Sequence, residues 1–149
     1  MNATHSHEKG QILVIFVAVL VALLGLTALA IDGGMIFADR RFSQSAADAS
    51  ALAGGGLAAQ TMEASGIRWN NFSCSAPGVM QAMSVAYEAA QNRAISNQFS
   101  DLDNDINDNH GIYVECTNDR IHFDRYLDVY TYIRTDVSTA FAHLFYDGP

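Results

Sequence analysis

The hydrophobic residues of this chain are concentrated in one uninterrupted run near its beginning. Residues 12–31 carry no charge, and Thr27 contributes the one polar side chain among them. A helix rises about 1.5 Å per residue, so a run of this length crosses the roughly 30 Å hydrocarbon layer of a bilayer. The pattern therefore predicts a transmembrane helix at residues 12–31, preceded by a polar head or leader at residues 1–11.

A cleaved secretory signal peptide is the alternative interpretation of this run. The apolar core of a signal peptide has about 7 to 15 residues and ends at a cleavage site of small residues. The run in this chain is longer, and a helical pattern continues beyond it. These two features favour a retained membrane anchor.

The residues after the run indicate that the helix continues. From Met35 to Ala53, small and apolar residues recur at spacings of three, four and seven, and polar residues fill the opposite face. The glycines at positions 54–56 predict the end of this helix, because glycine readily adopts the left-handed torsions that terminate helices. Residues 32–56 are therefore predicted to form a helical extension, or stalk.

Small side chains on this helix permit close packing against another helix. The residues that we assign to helix packing are Leu20, Ala28, Gly33, Gly34, Ala46, Ala49 and Ala53. The stalk packs either against helices of other copies or other proteins, or against the chain's own domain. The pattern alone leaves both interpretations open.

The remaining residues, 57–149, have the pattern of one small α+β domain. An irregular segment is expected at 61–77, because that segment has neither helical nor alternating periodicity. Helical spacing from Pro77 to about Phe99, with proline in the first turn, predicts a second, amphipathic helix.

The last part of the chain changes to an alternating pattern. Alternation at residues 112–118 and 127–135 predicts two strands of a small antiparallel sheet, in which residues 121–124 lengthen the second strand. Residues 138–145 fit either a short helix or a further apolar segment. The predicted fold class is α+β, with a long N-terminal transmembrane and stalk helix, a second helix and a small sheet.

Charge limits the partners of this domain. The chain has eight Lys and Arg against sixteen Asp and Glu, which gives a formal charge of -8. The excess lies after the apolar run, because the head contains Glu8 and Lys9 as its charged pair. An acidic domain is unsuited to nucleic acid, whose phosphates are bound by Lys and Arg. It suits an exterior position, where negative charge favours solubility and repels anionic lipid headgroups.

The orientation of the anchor rests on opposing observations. Arg40 and Arg41 follow the apolar run whereas Lys9 precedes it, so the positive-inside rule weakly favours an interior domain. The acidic excess and the cysteine pair favour a domain outside the cytoplasm. We predict the extracytoplasmic orientation.

Cys74 and Cys116 are the two cysteines of the chain. In an exported domain such a pair predicts a disulfide, and closing a loop of about 40 residues stabilises a fold by roughly 3 to 4 kcal/mol on the chain-entropy account. Two free buried thiols are the alternative. Redox catalysis is not indicated, because the pair lacks the Cys-x-x-Cys spacing.

An acidic run at residues 101–111 offers the one candidate metal site. Its carboxylates belong to Asp101, Asp103, Asp105 and Asp108, and hard oxygen ligands of this kind suit calcium. The EF-hand pattern is not matched, because Ile106 replaces the glycine of the sixth position and Ile112 replaces the glutamate of the twelfth. A solvated helix end is favoured over a calcium site, and no other cofactor is indicated.

Catalytic motifs are absent from the sequence. The five histidines are scattered without zinc-ligand spacing, and neither a Gly-x-Ser-x-Gly elbow nor a glycine-rich phosphate loop occurs. The sequence therefore predicts a protein that is not an enzyme and has no small-molecule substrate.

The N-terminal third of the chain resembles a known family. Residues 10–55 resemble the N-terminal segment of TadE/TadG-like proteins of the Flp pilus system, a tight adherence system related to type IV pili. The shared pattern comprises a Gly-Gln start at Gly10, an apolar helix, Ala-Ile-Asp-Gly-Gly at 30–34, an aromatic and basic stretch at 37–42, Ala-Ala-Asp-Ala at 46–49 and Ala-Leu-Ala-Gly at 51–54. Residues 132–145 are similar to the strand and Phe-rich end of such proteins.

The resemblance implies a noncatalytic structural role in a pilus or in its assembly machinery, with a pilin-like architecture. It implies a bacterial inner-membrane protein with an extracytoplasmic C-terminal domain, or a subunit of an extracellular filament that serves cell adhesion. The implied partners are the membrane and, through the N-terminal helix, further copies or other pilus proteins. The alternative function is a monomeric membrane-anchored binding module, in one version dependent on calcium at the acidic run.

One departure from the family pattern concerns processing. Pilin-like members are cleaved after a glycine and carry glutamate five residues further on. Cleavage between Gly10 and Gln11 would leave Ile15 at that position. An acidic side chain there would pair with a neighbour's amino terminus in an apolar bundle, so its replacement by isoleucine favours an uncleaved anchor.

Overall fold

The computed structural model of this chain describes residues 8–100, 102, 111–119 and 124–142, with the backbone alone described for residues 8–11. The elements within these residues are helix α1 (Glu8–Ala64), helix α2 (Pro77–Ser96), strand β1 (Gly111–Asp119) and strand β2 (Asp124–Tyr132). The two strands pair in one antiparallel sheet. The predicted α+β class, with a long N-terminal helix, a second helix and a small sheet, is confirmed.

The described residues fall into two compact units. The first contains the residues up to Asp39 together with those from Asp136 onward, and the second is Arg40–Thr135. Helix α1 contributes its apolar part to the first unit and its Ala-rich part to the second. The two units are considered separately below.

The first helix is longer than predicted. Its predicted end at residues 54–56 is wrong, because α1 continues to Ala64 and takes up the first residues of the segment expected to be irregular. Glycine in a helix interior costs about 1 kcal/mol relative to alanine. Tertiary packing offsets this cost, and the packing at Gly54 shows how.

Gly54 lies where α1 comes close to two other elements. A Cβ atom at this position would lie 2.8 Å from the Ala86 carbonyl oxygen of α2 and 2.9 Å from Val129 Cγ1 of β2. Both distances are shorter than van der Waals contact, so a side chain would force the neighbours to shift. Glycine at this position permits close packing rather than ending the helix.

The observed end of α1 is a Schellman motif centred on Gly66. This residue has a φ of +66°, in the left-handed region. The Gly66 N–H donates to the Glu63 carbonyl at 3.0 Å, and the Ile67 N–H donates to the Met62 carbonyl at 2.9 Å. These two bonds satisfy carbonyl groups that the helix end would otherwise leave without donors.

Helix α2 begins at Pro77, as predicted, and ends at Ser96 rather than near Phe99. The helix stops because Gln98 adopts a φ of +72°. The Phe99 N–H then donates to the Ala94 carbonyl at 3.0 Å, which closes a second Schellman motif. Both helices therefore end in the same way, one with glycine and one with glutamine at the left-handed position.

The core of the second unit is built around a face of small side chains on α2. The buried residues of α2 are Val79, Ala82, Ala86, Ala90 and Ala94. Ala58 of α1 belongs to one buried cluster with Ala82 and Ala86, and Ile112 of β1 belongs to another with Ala90 and Ala94. Small residues on α2 let both the first helix and the sheet approach closely.

The structure confirms two antiparallel strands but shifts their boundaries from those predicted. Strand β2 begins at Asp124 and ends at Tyr132, whereas the sequence pattern predicts a strand at 127–135 that residues 121–124 lengthen. Pairing with β1 explains the shift, because Asp119 lies opposite Asp124 at the end nearest the turn. Residues 121–123 lie outside the described part of the chain.

The segment after β2 lacks regular structure where it is described. Residues 133–139 are neither helix nor strand, residues 140 and 141 form a bend, and residue 142 has 3₁₀ conformation. The two interpretations of residues 138–145, a short helix or a further apolar segment, stay open, because residue 142 has 3₁₀ conformation and residues 143–145 lie outside the described part.

Candidate functional site

The N-terminal part of α1 is apolar on all sides. Every residue of 12–31 except Ala28 is exposed in the structure. The one polar side chain is satisfied within the helix, because Thr27 Oγ1 donates to the Leu23 carbonyl at 2.8 Å. A helix that is apolar all round requires a membrane or a partner to cover it. Among the described helices, α1 alone contains a segment long and apolar enough to cross a membrane.

A buried carboxylate follows the apolar run. Asp32 is 6% exposed and accepts hydrogen bonds from three successive backbone N–H groups, an arrangement that we call the Asp32 clasp. Oδ1 lies 2.8 Å from Ala140 N and 3.1 Å from Phe141 N. Oδ2 lies 3.1 Å from Phe141 N and 2.7 Å from Ala142 N. The clasp joins the end of the apolar run to the C-terminal segment of the same unit.

The clasp favours the ionised form of Asp32, which lies just outside the apolar run. Burial raises the pKa of this carboxyl group, whereas the hydrogen bonds from Ala142, Phe141 and Ala140 lower it. The hydrogen bonds outweigh burial, so the pKa lies below its usual value. Donation from backbone amides to a carboxylate is charge-assisted and stronger than a neutral hydrogen bond.

The sequence pattern did not predict the clasp, because it includes Asp32 only as part of the Ala-Ile-Asp-Gly-Gly stretch at 30–34. A signal was present, since Asp32 is the one charged residue between Lys9 and Asp39. An isolated carboxylate beside a long apolar run needs hydrogen-bond partners, because desolvating an unpaired charge is costly. The partners themselves donate through the backbone, which has no residue-type signature.

An apolar groove of about 210 Å³ lies beside the clasp. Its lining residues are Gly25, Ala28, Leu29, Asp32, Phe141 and Ala142. Ala28, which the sequence assigned to helix packing, therefore lies next to the chain's own C-terminal segment. This proximity explains why Ala28 is the one residue of the run that is half-buried.

The Ala-rich part of α1 has one face that is buried within its own unit. Ala46, Ser50, Gly54 and Ala58 follow one another at intervals of four, and all four are buried. The Ser50 hydroxyl donates to the Ala46 carbonyl at 2.8 Å, so this polar group is satisfied inside the packed face. This face packs on the chain's own domain, which is one of the two interpretations left open by the sequence.

The other residues assigned to helix packing have varied environments. Ala49, Ala53 and Gly33 are half-buried, whereas Leu20 and Gly34 are exposed. Leu52, on the side of α1 away from its buried face, is 76% exposed. Packing of these positions against another protein remains a prediction.

A disulfide joins Cys74 to Cys116, the pair expected from the sequence. Their Cα atoms are 5.7 Å apart, and 42 positions of sequence separate them. The bond ties the loop between the two helices to strand β1. The attachment point, Cys74, lies near the end of this loop that leads into α2.

The remaining predicted sites are not resolved further by the structure. Gly10 and Gln11 belong to the first turns of α1, and cleavage between them remains a prediction. The candidate calcium ligands Asp101, Asp103, Asp105 and Asp108 lie outside the described residues. Within the part of the chain that is described, no three His, Cys, Asp or Glu side chains form a metal-binding group.

Residues 10–61 match the family model for putative Flp pilus-assembly TadE/G-like proteins. This match confirms the resemblance drawn from the sequence and covers roughly a third of the 149-residue chain. It includes Asp32 but not the C-terminal residues that complete the clasp. No curated protein and no solved structure gives a significant match.

Proposed function

From the match of residues 10–61, we propose that this protein is a noncatalytic, membrane-anchored component of a Tad/Flp-type pilus or of the machinery that assembles it. The observation that carries the proposal is the exposed apolar part of α1, which lies inside the matched segment. A soluble monomer rarely leaves so large an apolar surface uncovered. This apolar surface is covered by the bilayer, by the helices of neighbouring subunits, or by the bilayer first and the helices afterwards.

The disulfide supports an extracytoplasmic location for the second unit. Disulfides persist in oxidising compartments and are rare in the bacterial cytosol. The acidic excess after residue 31 supports the same orientation, because anionic headgroups repel it. In this orientation the N-terminus is cytoplasmic and residues 12–31 span the inner membrane.

A filament subunit is the sharper form of the proposal. In a filament, residues 12–31 would pack against equivalent helices of neighbouring copies after leaving the bilayer. Leu20 lies near the middle of the run and is exposed, so it is available for such a contact. A charge at this position would have to be buried in an apolar bundle, at a cost of several kcal/mol when unpaired.

The second candidate is a monomeric membrane-anchored binding module. The burial of Ala46, Ser50, Gly54 and Ala58 within the chain's own unit favours it, because that face is already occupied. Such a module requires no self-association. Calcium binding at residues 101–111 is the specific version that the sequence suggests.

The decisive experiment compares surface appendages with membranes from the native source. Appendages are removed by shearing, and mass spectrometry measures the abundance and the first residue of this chain in each fraction. A filament subunit is abundant in the sheared fraction, and a processed one begins at Gln11. An intact chain from Met1 found in membranes alone identifies an assembly or anchoring component and rejects the filament form.

Variants at Leu20 test the packing of the helix. We expect Leu20→Glu to abolish incorporation into filaments, while Leu20→Ala, which removes volume without adding charge, reduces it little. Membrane extraction of both variants establishes whether the helix still inserts. If the Leu20→Glu variant inserts into the membrane and still forms filaments as the parent chain does, the proposal that residues 12–31 pack as a helical bundle in the filament is rejected.

A further inference from the structure

A cleft of about 390 Å³ lies in the second unit, between the end of α1, the loop after it and strand β2. The charged and aromatic side chains that line the cleft are Glu63, Arg68, Trp69, Phe72, Arg125 and Tyr126. Its volume is within the range of about 300 to 1,000 Å³ that is typical of ligand pockets. Neither the family match nor the proposed anchoring role gives this cleft a purpose.

Trp69 and Arg125 form a fixed pair in the cleft. The Arg125 guanidinium carbon lies 5.4 Å from the centre of the Trp69 ring, within the range of a cation–π contact. Arg125 Nη1 also donates to the Trp69 carbonyl oxygen. Trp69 as a whole remains 59% exposed, so the pair presents an aromatic residue to solvent.

The loop that carries Trp69 is held in place by several bonds. Asn71 Oδ1 accepts the Arg68 N–H at 2.5 Å, and Asn71 Nδ2 donates to the Gly66 carbonyl at 3.0 Å. The disulfide at Cys74 ties the same loop to β1. A preorganised cleft loses little conformational entropy when a ligand binds.

The charge of the cleft is opposite to that of the chain. Arg68 and Arg125 bring two guanidinium groups, and Glu63 brings one carboxylate, in a protein whose formal charge is -8. Arg125 Nε is buried and has no hydrogen-bond partner among the described residues. The positive charge of the two guanidinium groups therefore favours a ligand that brings a carboxylate.

We propose that this cleft binds an acidic peptide segment of a partner protein. A carboxylate of the segment pairs with Arg68 and Arg125, and a neighbouring apolar or aromatic side chain packs on Trp69 and Phe72. Guanidinium groups match carboxylates in a bidentate geometry, and tryptophan, tyrosine and arginine dominate the energetically important positions of protein interfaces. The strongly negative chain repels acidic partners elsewhere, so the cleft also selects where they dock.

Trp69 provides a direct probe of the cleft, because it is the chain's one tryptophan. The full chain in neutral detergent micelles is titrated with a capped five-residue peptide of alternating aspartate and phenylalanine. The control peptide has asparagine in place of each aspartate. We expect a saturable change in Trp69 emission with the acidic peptide, weakened by added salt, and no saturable change with the control.

Two arginine variants make the test specific. Arg68→Gln removes a charge from the cleft, and Arg93→Gln removes the same charge from the exposed end of α2, which is not part of the cleft lining. We expect Arg68→Gln to weaken binding about tenfold, which corresponds to 1.4 kcal/mol, and Arg93→Gln to leave it unchanged. Arg125 is not substituted in this comparison, because its contacts with Trp69 would be lost together with its charge.

Three results would overturn the proposal. These are equal binding of the asparagine peptide, equal weakening by Arg93→Gln, or no saturable response to the acidic peptide up to about 1 mM by either Trp69 emission or calorimetry. The inference does not depend on the pilus role. Its failure would therefore leave the membrane and filament experiments unaffected.

Discussion

The carboxylate of Asp32 and the backbone N–H of Ala142 are 2.7 Å apart, although 110 positions separate the two residues in the sequence. With Ala140 and Phe141, Ala142 completes a set of three successive amides around one side chain. The apolar run thus ends at a charged residue whose hydrogen bonds come from the C-terminal segment. This relationship gives the first unit a tertiary structure that an isolated membrane helix would lack.

We expect Asp32→Asn to loosen the C-terminal segment. Asparagine keeps one acceptor oxygen but turns an NH₂ group toward amides that also donate, so part of the clasp becomes repulsive. Hydrogen exchange at Ala140, Phe141 and Ala142 should become faster in the full chain in detergent. Asp48→Asn, an exposed site on α1, is the matched control and should change nothing. Unchanged protection in Asp32→Asn would show that the clasp does not hold the segment.

The clasp should weaken in acid. The pKa of Asp32 in the folded protein lies below its usual value of 3.8, so the stabilisation is complete above that pH and is lost as the pH falls through the folded-state pKa. The carboxyl carbon resonance of Asp32, followed by NMR, should titrate with a midpoint below 3.8. A midpoint above this value would mean that burial outweighs the three amides.

Gly54→Ala should destabilise the second unit, while Gly56→Ala on the same helix should not. A Cβ at position 54 meets the Ala86 carbonyl at 2.8 Å, whereas a Cβ at position 56 meets nothing within 4 Å. Overpacking costs about 1 to 3 kcal/mol, and the better helix propensity of alanine returns up to about 1 kcal/mol. Urea unfolding should therefore give midpoints shifted in opposite directions. A gain in stability for Gly54→Ala would contradict the close packing of α1 at this point.

Gln98→Gly should stabilise the protein by about 0.5 to 1 kcal/mol, because the left-handed conformation is strained for residues other than glycine. Gln98 adopts a φ of +72° at the end of α2. Glu88→Gly, at an exposed position inside the same helix, should destabilise by about 0.5 to 1 kcal/mol. Thermal unfolding of the two variants beside the parent chain measures both effects. Destabilisation by Gln98→Gly would mean that the glutamine side chain contributes more than its backbone strain costs.

Much of the fold could be predicted, because its elements are marked by local patterns. The length of the apolar run, the proline that opens α2 and the alternation in both strands each depend on neighbouring residues alone. The glycines at 54–56 were misinterpreted because glycine has two uses, left-handed torsion and close approach, and the sequence does not separate them. Ala86 and Val129 settle which use applies, and both lie more than 30 positions away.

The candidate sites also fall into two groups, those that the sequence predicts and those that only the tertiary structure reveals. Composition and spacing alone were enough to identify an apolar helix that needs covering, an acidic domain and a cysteine pair, because hydrophobic transfer and charge are properties of the residues themselves. The Asp32 clasp and the pairing of Arg125 with Trp69 were settled only by the tertiary structure. Both bring together groups from distant parts of the chain, and in both the acceptor or donor is a backbone group. A backbone amide or carbonyl is the same in nearly every residue, so only the folded chain reveals where it points.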